Sequence, residues 1–260
     1  LYSPEDYAGR PVYTTPEILR SNLAGVVLKM LSLNLGSPTA FPFIDPPQPK
    51  NIRDGIDILR DLGALTRNDP AEEGSYQLTP IGKAMAAFPL DPRISRMIME
   101  AQKEGCINEI AVIAAYLSIQ DPRERPFDKM DQAAAVHEPF KHQESDFLGY
   151  LRLWNSYADS LEKMKTQNKL RKFCREHFLS YRRMMEWRDI YSQILDIVDG
   201  GRVTRHRKPV KIDIDQAISD KIHRCILSGY LSNIACKKEK NTYTAAKSRE
   251  VMIHPGSGLF

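Results

Sequence analysis

Between Leu78 and Cys106 the chain twice sets a side-chain oxygen directly ahead of a proline, at Thr79-Pro80 and at Asp91-Pro92. A capping oxygen accepts from the free N–H groups of a first helical turn, and proline lacks only an N–H that would have no partner there. Each pair therefore marks a helix N-terminus. Before this stretch the pattern is one of short helices and a hairpin; after it, amphipathic helices follow almost without interruption. The stretch is expected to be the hinge between two domains.

The first domain is expected over 14–90. Residues 1–13 carry Pro4, Gly9 and Pro11 without periodicity and read as a linker. Thr14-Thr15-Pro16-Glu17 is expected to open a helix with Leu19, Leu23, Val26, Val27, Met30 and Leu31 on one stripe, ended by Gly36. The prolines between Phe41 and Pro49 forbid a helix, and Phe41 and Phe43 are expected to plug a core. A second helix over 50–62 would turn Ile52, Ile56, Leu59 and Leu62 inward. Residues 65–66 and 76–78 then flank a polar turn as a hairpin. Helix, proline loop, helix, hairpin is the order of a winged-helix unit. Its second helix sets Asp54, Asp57 and Asp61 against Lys50, Arg53 and Arg60, which cancels the phosphate attraction that a DNA-reading helix needs. A structural platform is expected instead.

From Asp91 the chain reads as a helical bundle to about residue 230. Ile94, Met97, Ile98 and Ala101 line one helix, and Ile107, Ile110, Ala111, Ala114 and Leu117 the next. The charged loop Asp121 to Pro126 follows. Ser145 is expected to cap a helix carrying Phe147, Leu148, Leu151, Trp154 and Tyr157. A stretch from Lys169 to Val198 gives two helices or a bent one, Gly200-Gly201 stops it, and a last helix runs from about Asp215 to Leu227. Residues 202–211, with five basic residues and no acidic one, read as a loop. Residues 231–236, 242–245 and 250–253 read as strands, so 231–260 is expected to begin a β domain. The chain opens on Leu1 rather than methionine and is expected to be a piece of a longer polypeptide.

No residue pattern supplies a catalytic engine. A phosphate-cradling Gly-x-x-x-x-Gly-Lys-Ser/Thr loop is absent, since Gly82-Lys83 is followed by alanine at a helix start. Motifs of serine hydrolases and zinc peptidases are missing as well. His137 and His142, beside Glu138 and Glu144, read as a solvated loop rather than a metal site. Cys106, Cys174, Cys225 and Cys236 form no Cys-x-x-Cys pair and are expected as reduced thiols of a cytosolic protein. No apolar run approaches the roughly 20 residues of a membrane span.

Charge distribution is more informative than its sum of +4. Residues 1–162 hold 16 Lys/Arg against 23 Asp/Glu, whereas 163–260 hold 21 against 10. An anionic partner would sit on the second half. Its densest segment, Lys163 to Arg183, carries Lys163, Lys165, Lys169, Arg171, Lys172, Arg175, Arg182 and Arg183 against Glu176 alone. Spacings of four, seven and eleven place Arg171, Arg175 and Arg182 near one helical face. Guanidinium forks match phosphate oxygens, and Phe173, Phe178 and Tyr181 are interleaved where rings could stack on unpaired bases. The competing reading is a solvated charged face over a core of aromatics.

Ordered short matches then identify a family. Pro16-Glu-Ile-Leu-Arg-Ser-Asn-Leu23, Phe43-Ile-Asp-Pro-Pro47, Leu62-Gly-Ala-Leu65, Leu78-Thr-Pro-Ile-Gly82, Phe88-Pro-Leu-Asp-Pro92, Ser145-Asp-Phe-Leu148, Cys174-x-x-x-Phe178-Leu-x-x-Arg182 and His254-Pro-Gly-Ser257 run nearly end to end. In these the chain resembles the region C-terminal to the motor domains of DEAH-box RNA helicases. Ser118 to Pro126 and Gly256 to Phe260 make it most similar to the bacterial HrpA type. The resemblance implies a mainly α chain: a linker from the preceding motor domain (1–13), a winged helix (14–90), a helical ratchet domain (91–230) and the start of an oligonucleotide-binding (OB) fold (231–260). It implies an accessory module that grips single-stranded RNA, with DNA a further candidate, and braces the motor domains during 3′ to 5′ translocation. ATP and magnesium would belong to those motor domains and no cofactor to this chain, which is expected to be inactive alone, monomeric and cytoplasmic. Ser145, Asp146 and Arg182 match positions that face the RNA. His254 and Ser257 match the oligonucleotide-fold motif, with a purely turn-fixing role as the alternative. His177 departs from the asparagine of many relatives. Arg93 and Arg96 are expected to brace the domain junction. The alternative function is an adaptor that binds protein only.

Overall fold

A computed structural model describes residues 3, 6–7, 9–10, 14, 16–20, 22–67, 76–164, 166–202 and 207–260. The polar hairpin turn expected at 68–75, most of the expected linker and part of the basic loop at 202–211 lie outside them. The chain divides into two compact units, Leu1–Ala86 and Ala87–Phe260.

In the first unit the expected long helix is two pieces, α1 (Glu17–Arg20) and α2 (Ala24–Ser32). Asn22 explains the restart: its side-chain oxygen accepts from the Ala24 N–H at 2.8 Å, a local bond that competes with continuing the helix. The inward stripe becomes Leu23, Ala24, Val27, Leu28 and Met30, while Val26 lies outside. Helix α3 (Pro49–Asp61) buries Ile52, Ile56 and Leu59. A Cβ on Gly55 would stand 2.8 Å from the Ala24 amide nitrogen, so α3 approaches α2 as closely as glycine permits. Strands β1 (Leu65–Arg67) and β2 (Tyr76–Leu78) pair antiparallel with Leu65 opposite Leu78. Thr79 caps α4 (Pro80–Met85) as expected, accepting from Gly82 N–H at 3.0 Å. The phenylalanine expectation is corrected: Phe41 and Phe43 are only half-buried and meet each other edge to face at 4.8 Å.

The second unit is built around α6 (Ile107–Leu117), which follows α5 (Pro92–Glu104) across a left-handed Gly105. Ile110 through Tyr116 are all buried, so α6 is enclosed on every side rather than along one stripe. After α7 (Met130–His137) come α8 (Asp146–Lys163), α9 (Gln167–Glu176), α10 (Tyr181–Val198) and α11 (Gln216–Gly229). Trp154, Tyr157, Trp187 and Tyr191 fill the centre with no exposure, Trp154 and Trp187 lying 5.1 Å apart. Their indole N–H groups donate to the carbonyls of Val210 (2.9 Å) and Val112 (2.8 Å), which removes the cost of burying them. Cys106 and Cys225, remote in sequence, bring their sulfurs to 3.5 Å in this core as free thiols. Strands β3 (Ala235–Glu239), β4 (Thr242–Ala245) and β5 (Arg249–Met252) form an antiparallel sheet in that order, with Lys237, Tyr243 and Val251 in register. Among the described residues no helix is long and apolar enough to cross a membrane.

A methyl group at Gly229 would lie 2.4 Å from the Arg93 carbonyl, where α11 meets α5. Gly229→Ala should therefore cost about 1–3 kcal/mol through overpacking, read as a lower urea midpoint. An unchanged midpoint would contradict that close approach.

Candidate nucleic-acid interface

Helix α9 separates its surfaces cleanly: Leu170, Phe173 and Cys174 are buried, while Lys169, Arg171, Lys172 and Arg175 are exposed. It does not continue into α10. Phe178 takes a left-handed backbone (φ 50°), a strained conformation for a bulky side chain. The turn is held by the preceding charged loop, since Glu124 N–H donates to Phe178 O (2.7 Å) and Ser180 N–H to Pro122 O (2.8 Å). Leu179 is buried within it and pairs with Arg123. The expectation that Arg171, Arg175 and Arg182 share one helical stripe is therefore corrected. Arg171 and Arg175 stand on α9, and Arg182 stands on the first turn of α10.

The loop that imposes this break is itself anchored. Asp121 takes a fork of bonds from Arg123, Nη2 to Oδ2 at 2.7 Å and Nε to Oδ1 at 3.0 Å, and a third bond from the Tyr116 hydroxyl at 2.7 Å. Burial pushes the Asp121 carboxyl up, but the Arg123 and Tyr116 bonds prevail and hold it below the usual carboxylate range. Arg183 braces the same loop, donating to Asp121 O (2.9 Å) and Gln120 Oε1 (2.6 Å), so its guanidinium is committed internally.

Arg171 and Arg175 border a groove of about 430 Å³ with Glu124, Asp128 and Lys129 of the facing loop and buried Cys174 at its base. The Arg171 guanidinium lies 5.1 Å over the Tyr181 ring. Among the described residues neither Arg175 nor Arg182 has a carboxylate partner, whereas Arg96, Arg123, Arg188 and Arg224 are each paired. Burial pushes the Cys174 thiol up to about 11, which leaves it inert at neutral pH. Of the expected stacking rings, Phe173 is instead a core residue against His177 at 4.1 Å.

The remaining expected site residues make contacts within the second unit. Ser145 stands at the N-cap of α8 without capping it, contrary to expectation. Its hydroxyl is buried and bonds His223 Nε2 at 2.8 Å, because His223 Nδ1 already donates to Ser219 O at 2.7 Å. Asp146 accepts from Ser257 Oγ (2.6 Å) and from Gly258 N–H (2.8 Å), joining two residues 111 positions apart. A Cβ on Gly258 would fall 2.4 Å from His142 O, so the turn fits tightly. His254 Nδ1 accepts from Gly256 N–H at 3.0 Å and fixes that same turn. Arg96 pairs with Glu100 of its own helix at 2.8 Å, and Arg93 lies 5.9 Å over the Tyr230 ring.

Two family models cover much of this chain: helicase associated domain (HA2), winged-helix, over residues 55–90, and helicase associated domain (HA2), ratchet-like, over 91–180. Over its whole length the chain is 43% identical to the ATP-dependent RNA helicase HrpA of Escherichia coli and 41% to its Haemophilus influenzae homolog, covering 19% of each. It is 30% identical to the human "Probable ATP-dependent RNA helicase DHX35", covering 34% of it. The chain thus spans about a fifth to a third of the length of these relatives.

Two outcomes follow from this geometry. A carboxyl held low contributes stability that is present above the ordinary carboxylate range and lost as pH falls through its lowered value. Near-ultraviolet circular dichroism from Tyr116 should therefore begin to change only below about pH 4, and Asp121→Asn should abolish that acid step while weakening the loop at neutral pH. Asp146→Ala should speed amide exchange at 254–260 at least tenfold while leaving α10 unchanged. Equal exchange would mean that the Asp146 bonds do not hold the C-terminal turn.

Proposed function

We propose that this chain, which carries the winged-helix and ratchet-like HA2 domains of DEAH-box helicases, is the accessory module with which such an ATP-dependent enzyme grips single-stranded RNA and braces its motor domains. The observation that carries the reading is the set of exposed guanidinium groups at Arg171, Arg175 and Arg182. They project from a rigid bundle and lack the carboxylate partners that occupy Arg96, Arg123, Arg188 and Arg224. Guanidinium held without a counter-charge is matched by phosphate oxygen, which it can bind in a planar fork.

Ser145, Asp146, His254 and Ser257 would act by positioning. The bonds of Asp146, His254 and Ser257 set the C-terminal turn against the start of α8, and Ser145 ties that start to His223 of α11, so a strand lying along the second unit would meet a fixed contour rather than a loose tail. The mechanism of this part is passive. Motor domains outside this chain would bind ATP and magnesium and move the strand in the 3′ to 5′ direction, while the bundle holds sugar and phosphate between strokes. The charge-balanced α3 fits a platform role for the winged-helix unit, with Arg60 already 3.5 Å from Asp57. The β3–β5 sheet would be the first part of an oligonucleotide-binding fold.

Arg175→Ala and Arg182→Ala in the full-length protein should each weaken single-stranded RNA binding. Each should also reduce the slope of log affinity against log salt by about 0.7 per lost phosphate contact. Filter binding across salt concentrations reads both values. If neither changes, this face does not touch the strand and a protein-binding role becomes the better account.

A further inference from the structure

The groove between α9 and the 124–129 loop contains unpaired charges of both signs. Arg171 and Arg175 form one wall, and Glu124 and Asp128 belong to the other. Among the described residues, neither carboxylate has a hydrogen-bond or ion-pair partner, nor does Arg175. Opposite charges lining one groove without pairing point to a ligand that offers both an anion and hydrogen-bond donors. Beside them Phe127, between the lining residues Pro126 and Asp128, is 94% exposed, although a phenylalanine ring normally gains by burial. A single exposed apolar residue means little by itself. Here it is flanked in the chain by two residues that line the groove, in a turn that the Lys129 N–H bond to Pro126 O fixes at 3.0 Å.

A nucleotide has three matching parts: an anionic phosphate, a flat base and a polar base edge. We propose that this groove seats one unpaired nucleotide with its phosphate on Arg171 and Arg175, its base against Phe127 and its edge on Glu124 and Asp128. The module thereby prefers amino-bearing bases over uracil. Carboxylates only accept hydrogen bonds. Cytosine presents an amino donor where uracil presents a carbonyl oxygen, so the two pyrimidines differ at this edge while having the same ring size. The bonds between Glu124 and Phe178 and between Ser180 and Pro122 fix the loop wall against the helix break at the end of α9. The inference rests on the single-strand reading proposed above and adds to it a choice among bases.

Fluorescence anisotropy with labelled ten-nucleotide oligocytidylate and oligouridylate tests it on the full-length protein without nucleotide. The cytidine strand should bind roughly three- to tenfold more tightly. Glu124→Gln with Asp128→Asn should bring the ratio near one without weakening the uridine strand, since two repelling charges are removed. Phe127→Ala should weaken both strands alike, and unchanged binding would overturn its assignment as the stacking ring. Equal affinities in the unaltered protein, or a ratio that survives the double substitution, would overturn the base preference. Arg171→Ala with Arg175→Ala separates the two levels. Weakened binding of both strands beside an unchanged ratio in the carboxamide variant rejects only the base preference. Binding untouched by the arginine changes shows that this groove does not seat the strand and overturns the inference, while the single-strand reading stands or falls with Arg182→Ala.

Discussion

The helix break at 177–180 is the constraint on which the surface of the second unit depends. Without it α9 and α10 would be one rod, and the basic segment would be a single charged stripe facing water. Two main-chain bonds from the 121–126 loop, at 2.7 and 2.8 Å, hold Phe178 in a left-handed conformation. That loop is in turn fixed by the Asp121–Arg123 fork and by Arg183. Two arginines, Arg123 and Arg183, are thus committed inside the structure while Arg175 and Arg182 stand without a carboxylate partner among the described residues. A groove walled by α9 and the loop results, and Arg182 of α10 is not among the residues that line it.

Rigidity behind this face comes from the aromatic centre. Trp154, Trp187, Tyr157 and Tyr191 are fully buried, and both indole N–H groups bond main-chain carbonyls. Fixed N–H···O bonds of this kind hold α10 to α6 and α8 to the segment around Val210 in one arrangement where an aliphatic core would tolerate several. Exposed guanidinium groups lose less side-chain entropy on meeting a phosphate than lysines would, because the planar fork is pre-organised. The passive grip proposed for this module would need that combination of a stiff base and short-range, salt-sensitive contacts.

Much of the fold was legible because its signals are local. Thr79-Pro80 and Asp91-Pro92 both begin helices, and the apolar spacing of α3 and α5 marks their buried faces. The α2 stripe was misplaced because Asn22 restarts the helix and shifts its phase. The fate of Ser145 could not be read from its surroundings in sequence, since its hydroxyl partner is His223, 78 positions away. The same holds for Asp146 and Ser257. Spacing puts the three arginines on one face only of a continuous helix, and the positive φ of Phe178 with the burial of Leu179, which end α9, show in the folded chain rather than in residue spacing. The family resemblance runs nearly end to end, yet it does not say what each side chain holds.

The grip assigned to α9 and its facing loop is tested most directly by amide hydrogen exchange of the full-length protein with and without single-stranded RNA. Protection confined largely to 121–129 and 167–182 is expected when the strand binds. Protection elsewhere, with these two segments exchanging at the same rate in both states, would contradict the assignment.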